Sequence, residues 1–172
     1  VEKTRCPWST KDPAYIGYHD EEWGRPNRDG RHLFEKIILE GAQSGLSWIT
    51  ILKKRENYRR AFKGFDPIKV ATFDDDDVTR LMGDAGIIRN QAKIRSAINN
   101  AKVFVENFGT DEDAFATFLW GFVDGEPIVN QRQTMDDITA VTAISTEMSK
   151  ALKDMGFSFI GPTTCYALMQ DA

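Results

Sequence analysis

Between Asn90 and Gly109 the residues Ile94, Ala97, Ile98, Ala101, Phe104, Val105 and Phe108 recur at three- and four-residue spacing. This is the period of one face of a long α-helix, predicted here from about Asn90 to Asn107. Such a stripe must be buried against other apolar faces, and the rest of the chain offers only helices for the purpose. Leu33, Phe34, Ile37 and Ile38 repeat the pattern over about Arg31 to Glu40, and a further helix spans about Ser47 to Phe62 before Gly64. Asp66-Pro67 reads as an N-cap followed by proline at the first helical position. Asp74 opens a short helix through Leu81 whose aspartates complement the positive end of the helix dipole. Thr110 is expected to cap a helix bearing Phe115, Phe118, Leu119 and Phe122 as core. After Asp124-Gly125, residues 126 to 140 read as an extended connector. A helix from about Thr146 to Met155 ends at Gly156, and the last begins at Pro162. No stretch alternates with the period of a strand, and no repeat or low-complexity linker intervenes, so the fold class is all-α. With 172 residues, 41% of them apolar, residues 1–172 suit one domain or two small helical lobes.

A net charge of -4 argues against a protein that coats nucleic acid by charge alone, because phosphate binding is largely counterion release by lysine and arginine. The basic side chains are unevenly spread, however: Lys53, Lys54, Arg55, Arg59, Arg60 and Lys63 lie close together against Glu56. The simplest account of that run is a solvated helix face. The longest apolar runs are a few residues, far short of the roughly 20 that cross a bilayer, and the N-terminal residues lack a charged-then-apolar signal pattern. Two cysteines, Cys6 and Cys165, suit a reducing compartment better than a disulfide framework. A cytoplasmic protein is expected, and nothing in the chain suggests more than a monomer.

Candidate chemistry centres on residues 39 to 48. Glu40 follows Leu33 by two helical turns and so lies at the edge of the apolar face, whereas Glu35 and Lys36 fall on the opposite side, where charge is expected. Glu40 is therefore the acid that patterning does not explain. Gly41 and Gly45 allow a sharp turn or a close approach, and Trp48 opens the next apolar stripe. Upstream, residues 1 to 28 are expected to be irregular yet carry Trp8, Tyr15, Tyr18 and Trp23, rings that either cover one end of the core or line a pocket.

Near the other terminus, Phe157 to Met169 reads as helix, short apolar hairpin, glycine and helix N-terminus. A glycine before a helix exposes unpaired backbone N–H groups beside the positive end of the dipole, an arrangement that binds phosphate. Ordinary helical hairpins share it. Thr163 and Thr164 could reach the same anion or cap their own helix. Cys6 and His19 are candidate zinc donors, but a closed site needs four, and only Cys165 and His32 remain, without CxxC or HxxxH pairing; the residues themselves favour His19 packed among aromatics or hydrogen-bonded, and Cys6 and Cys165 as small buried hydrophobes. No Ser/His/Asp group, phosphate-cradling loop or lysine poised for Schiff-base chemistry is evident.

Over nearly its whole length the chain resembles the type I 3-methyladenine DNA glycosylases of the helix-hairpin-helix superfamily. The resemblance rests on Cys6-Pro7-Trp8, Asp12-Pro13, Tyr15-Ile16-Gly17-Tyr18-His19-Asp20, Glu22-Trp23-Gly24, Leu39 to Leu52, Ala85-Gly86-Ile87-Ile88-Arg89 and Gly156-Phe157 to Gln170. It implies a helix-hairpin-helix glycosylase fold with an irregular aromatic-rich N-terminal segment, and hydrolysis of the N-glycosidic bond of 3-methyladenine in damaged double-stranded DNA without lyase activity. The base would be flipped out of the duplex. Glu40 would bond its edge, Tyr18 and Trp48 would contact its faces, and Tyr15, Trp8 and Trp23 would form the surrounding wall. Gly45 and Leu46 would fill the gap left in the duplex, while Gly161, Thr163 and Thr164 would hold a phosphate. The family's zinc site joins the Cys6 and His19 positions to a His and a Cys beyond the residue matching Ala172, so the resemblance implies a structural zinc for a full-length chain and no cofactor for the chemistry. The family lacks the catalytic aspartate of its superfamily relatives, and water is the implied nucleophile. N3-methylation makes the base cationic, which suits an aromatic cage with one carboxylate. A non-catalytic helix-hairpin-helix module, the main alternative, would have no use for Glu40, and a helical protein-interaction domain would use the aromatics only as core.

Overall fold

In the structure, a computed structural model describing residues 3–9 and 11–172, the chain is arranged around one enclosed helix. This is α2, Gly30–Gln43; it is preceded by α1, Pro13–Glu21, and packed by α3, Trp48–Ala61, α6, Gln91–Phe108, α7, Glu112–Trp120, and α9, Pro162–Asp171. Every residue of α2 from Leu33 to Ala42 is buried. That overturns the expectation for Glu35 and Lys36, which are 6% and 1% exposed. For Glu35 the reason is that periodicity within one helix presumes a solvent face, and a helix covered from all sides has none; Lys36, one turn before Glu40, lies on the Glu40 side of the helix and not opposite it. Glu35 is met by the Arg59 guanidinium of α3, with Nη2 donating at 2.8 Å, and Lys36 by Asp171 of α9, at 2.6 Å.

The shorter helices follow their caps. α4, Pro67–Ala71, starts at Asp66, whose carboxylate accepts the Ile68 N–H at 3.1 Å, and α5, Asp75–Met82, opens on a capping box between Asp74 and Asp77. Asp111, not Thr110, caps α7, accepting the Ala114 N–H at 2.8 Å. α8, Ala143–Met155, begins earlier than its apolar spacing indicates, because Thr142 and Ser145 close a reciprocal cap. α1 lies within the segment expected to be irregular. Asp12 caps it and Pro13 occupies its first turn, but its aromatics form no stripe, so periodicity is silent there. α2 continues past Glu40 because Gly41 stays helical. A Cβ at Gly41 would stand 3.2 Å from the Phe159 carbonyl oxygen and 3.3 Å from its Cβ, so this glycine serves a close approach rather than a turn. No strand occurs among the described residues, and residues 126–141 are irregular apart from a 3-10 turn at Met135–Asp137.

Two aromatic groups fill the core. Phe34, Phe104 and Phe115 meet with ring centroids 5.4 and 4.8 Å apart, while Tyr58, Phe62 and Phe65 stack at 5.9 and 5.8 Å. Phe115 and Leu119 of α7 are buried, and Phe118 and Phe122 pack half-buried at the core's rim. The basic run of α3 is not simply a solvated face. Lys53 pairs with Asp12 and Arg55 with Glu22, at 2.5 and 2.6 Å, so its side chains tie α1 to α3 while Arg59 reaches α2.

Candidate active site

Lys36 and Glu40 stand one turn apart on α2 and face the same side. α1 presents Tyr18, the start of α3 presents Trp48, and α9 ends on Asp171. These five side chains meet. The Tyr18 hydroxyl donates to Asp171 Oδ1, and Lys36 Nζ lies against Asp171 Oδ2 in a charge contact off the direction of a hydrogen bond. The ammonium stands 4.9 Å from the centre of the Tyr18 ring and 5.4 Å from that of Trp48. The two rings are 5.7 Å apart and inclined by 47°. Trp48 Nε1 is buried without a hydrogen-bond partner among the described residues.

Glu40 is 5% exposed, and no described residue donates a hydrogen bond to its carboxyl. Burial pushes its pKa up to about 8, the negative charge of Asp171 adds to the rise, and Lys36 opposes it. Between them Lys36 and Asp171 nearly cancel, so a neutral Glu40 leaves the pocket close to uncharged. Burial likewise raises the Tyr18 phenol, reinforced by the carboxylates of Asp171 and Glu40. Outside this group the aromatic wall continues: Trp8 sits 5.1 Å from Tyr15, 5.0 Å from Trp23 and 6.4 Å from Tyr18, centre to centre.

Of the residues singled out in the sequence, Glu40, Tyr18 and Trp48 are thus brought together, and Tyr15 and Trp8 adjoin them. Trp23 also faces a groove of about 920 Å³ lined by Cys6, His19, Met135 and Tyr166 among others. Neither Glu40 nor any other acid lines that groove, so its size does not make it the seat of the carboxylate chemistry. Cys6 and His19 are neighbours, but the imidazole is already engaged: Nε2 accepts the Cys6 backbone N–H at 3.3 Å and Nδ1 faces Asp20 Oδ1 at 3.0 Å. Among the described residues no three His, Cys, Asp or Glu side chains are grouped to hold a metal ion. The residues present do not fit a zinc site.

Lys36 and Asp171 are the members that sequence reasoning missed. A lysine one turn before the anomalous acid was the available signal for Lys36; Asp171 enters only through the docking of α9. Two further segments complete the surroundings. The loop after α2 exposes residues 44–47, with Gly45 at φ +77 and Leu46 39% exposed. Lys93 of α6 steadies it by donating to the carbonyls of Ala42, at 2.9 Å, and Ser44. At the start of α9, Gly161 provides no side-chain cap and Pro162 follows it, which leaves the backbone N–H groups of Thr163 and Thr164 without a side-chain cap.

An all-helical body whose α8-hairpin-α9 unit stands beside a buried carboxyl in an aromatic pocket defines the helix-hairpin-helix class of DNA glycosylases. A model described as methyladenine glycosylase matches residues 8–172. The DNA-3-methyladenine glycosylase 1 of Escherichia coli strain K12 is 51% identical over 166 residues, covering 96% of this chain and 88% of that protein. A crystal structure of a 3-methyladenine DNA glycosylase I superposes with a TM-score of 0.94 at 50% identity, over 98% of this chain and 92% of that one. A Staphylococcus aureus 3-methyladenine DNA glycosylase I, whose structure addresses 3-methyladenine recognition, gives 0.91 at 39% identity, over 98% and 89%. The chain belongs to the methyladenine glycosylase family.

Proposed function

We propose that this protein hydrolyses the N-glycosidic bond between 3-methyladenine and deoxyribose in alkylated double-stranded DNA, leaving an abasic site. The observation that carries the reading is the buried Glu40 carboxyl near Tyr18, whose ring meets that of Trp48, in a chain of the methyladenine glycosylase family. A methylated adenine extruded from the duplex brings a positive charge into the pocket. Tyr18 and Trp48 meet its faces through their negative ring faces. Tyr15, Trp8 and Trp23 enclose the site. Glu40 meets the adenine edge, and the incoming cation favours loss of its proton, so the contact becomes charge-assisted. Trp48 Nε1, a buried donor lacking a partner, has unspent capacity that a bound base can use.

The chemistry asks little more of the protein. As the C1′–N9 bond breaks, its electron pair passes to the base and cancels the positive charge, which makes 3-methyladenine a good neutral leaving group. Water adds to C1′ and gives up a proton to solvent. Glu40 binds and orients the base. Lyase chemistry is not expected, because the pocket's lysine, Lys36, is committed to Asp171 and is not a free amine. Gly45 and Leu46 would occupy the gap in the duplex, and Gly161, Thr163 and Thr164 would hold a backbone phosphate. We read the protein as a cytoplasmic monomer, with Cys6 and Cys165 as free thiols. The Tyr18–Trp48 spacing supports narrow specificity, so 7-methylguanine and ethenoadenine should be released poorly.

Chromatography of the bases freed from methylated duplex DNA tests the reading. The wild-type protein should release 3-methyladenine, and Glu40→Gln should lower kcat/KM about 10- to 100-fold, the range for loss of a hydrogen bond to a charged group. Absence of release by the folded wild-type protein would refute it.

A further inference from the structure

Phe159 lies in the hairpin between α8 and α9 with φ +53 and is 41% exposed. A bulky L-residue in the left-handed region is strained, and such strain persists only where surrounding structure enforces it. Lys63, Phe65 and Asp124 share a positive φ, but each has a local reason. Phe65 is fully buried in the aromatic stack, Lys63 belongs to the turn that ends α3, and Asp124 precedes Gly125 in a turn where aspartate is tolerated. Phe159 gains neither deep burial nor favourable turn chemistry. Glycine would hold the same backbone without strain.

The hairpin is nonetheless held firmly. Asn100 of α6 brackets Ser158, its Nδ2 donating to the Ser158 carbonyl at 3.0 Å and its Oδ1 accepting the Ser158 N–H at 2.9 Å. The hydroxyls of Ser96 and Ser158 are 2.6 Å apart. Phe159 backs onto Gly41 and shares a small void with Ala42 and Lys93; Lys93 in turn grips the loop that presents Gly45 and Leu46. Two residues after Phe159, Gly161 opens α9. A part-exposed ring is therefore locked at the seam between the loop and the helix terminus, on a backbone that glycine would hold without strain.

We propose that Phe159 is a DNA-contact residue whose ring packs against sugar and base faces of the duplex, between the Leu46 loop and the phosphate at the α9 N-terminus. The proposal rests on the glycosylase reading above. Its test compares wild-type protein and Phe159→Gly for affinity toward a duplex carrying an abasic-site analogue, across a salt series, together with their thermal unfolding midpoints. Affinity should fall about tenfold or more, as when one aromatic contact to a base is lost. The salt slope should be unchanged, because no charge is removed; the midpoint is read alongside to show that the variant is folded at the temperature of the binding assay. Affinity equal to wild type overturns the proposal. So does a shallower salt slope, which would mean displaced phosphate contacts. Failure of the glycosylase reading appears separately, as absence of 3-methyladenine release by the wild-type protein.

Discussion

Burial pushes the Glu40 carboxyl from its ordinary 4.5 to about 8, which has consequences for both binding and folding. At neutral pH the free pocket holds Glu40 mostly protonated, and the ionised form that best meets a cationic base gains population as pH rises. Excision by the wild-type protein should therefore show kcat/KM rising through about pH 8, and Glu40→Gln should lose that limb. The stability effect has the opposite sign. Between 4.5 and about 8 the folded state keeps a proton that the unfolded chain has released, so stability falls as pH rises across that window and levels off above it. Denaturant titrations should show Glu40→Gln relieved of a pH-dependent loss of a few kcal/mol. Asp171→Asn tests the neighbouring pair. It leaves the Lys36 ammonium buried without its counter-charge, and urea unfolding should register a loss of about 3–5 kcal/mol, with much less when Lys36→Met accompanies it.

At the level of helices, α2 depends on two contacts that leave no room for error. A Cβ at Gly30 would stand 1.9 Å from the Glu112 carbonyl oxygen at the start of α7. That neighbour is backbone and cannot swing aside, so Gly30→Ala should cost about 3 kcal/mol or more in unfolding free energy. At the far end, Lys93 satisfies carbonyls at the C-terminus of α2 and in the following loop, the positive group that a helix C-terminus favours. Lys93→Met should cost about 1–2 kcal/mol. Amide hydrogen exchange should speed up in residues 43–47 while the α6–α7 core stays protected. Both effects originate outside the helix they act on, which is why the spacing of α2 alone conveyed neither.

For the molecule as a whole the balance is acidic, and the pairing of Lys53, Arg55 and Arg59 leaves Lys54, Arg60 and Lys63 as the cations of the basic run free to displace counterions. The log of DNA affinity should accordingly fall with log salt at a slope no steeper than about -3. Most of the helical plan was legible beforehand, because the stripes at Ile94 to Phe108 and Leu33 to Ile38, and the stops at Gly64, Gly109 and Gly156, act through neighbours within a turn or two. Glu40 stood out for the same local reason, as an acid on an apolar edge. α1 was not legible, since Asp12 and Pro13 start it but its rings face several ways. The sequence by itself determined an all-α chain, its punctuation, the unusual carboxyl and the aromatic supply. Only the tertiary structure decided that α2 is enclosed, that Lys36 and Asp171, 135 residues apart in the chain, neutralise each other beside Glu40, and that Phe159 is held exposed. The reason is physical: periodicity and capping are interactions along one chain segment, whereas desolvation and ion pairing depend on what distant segments bring to the same place.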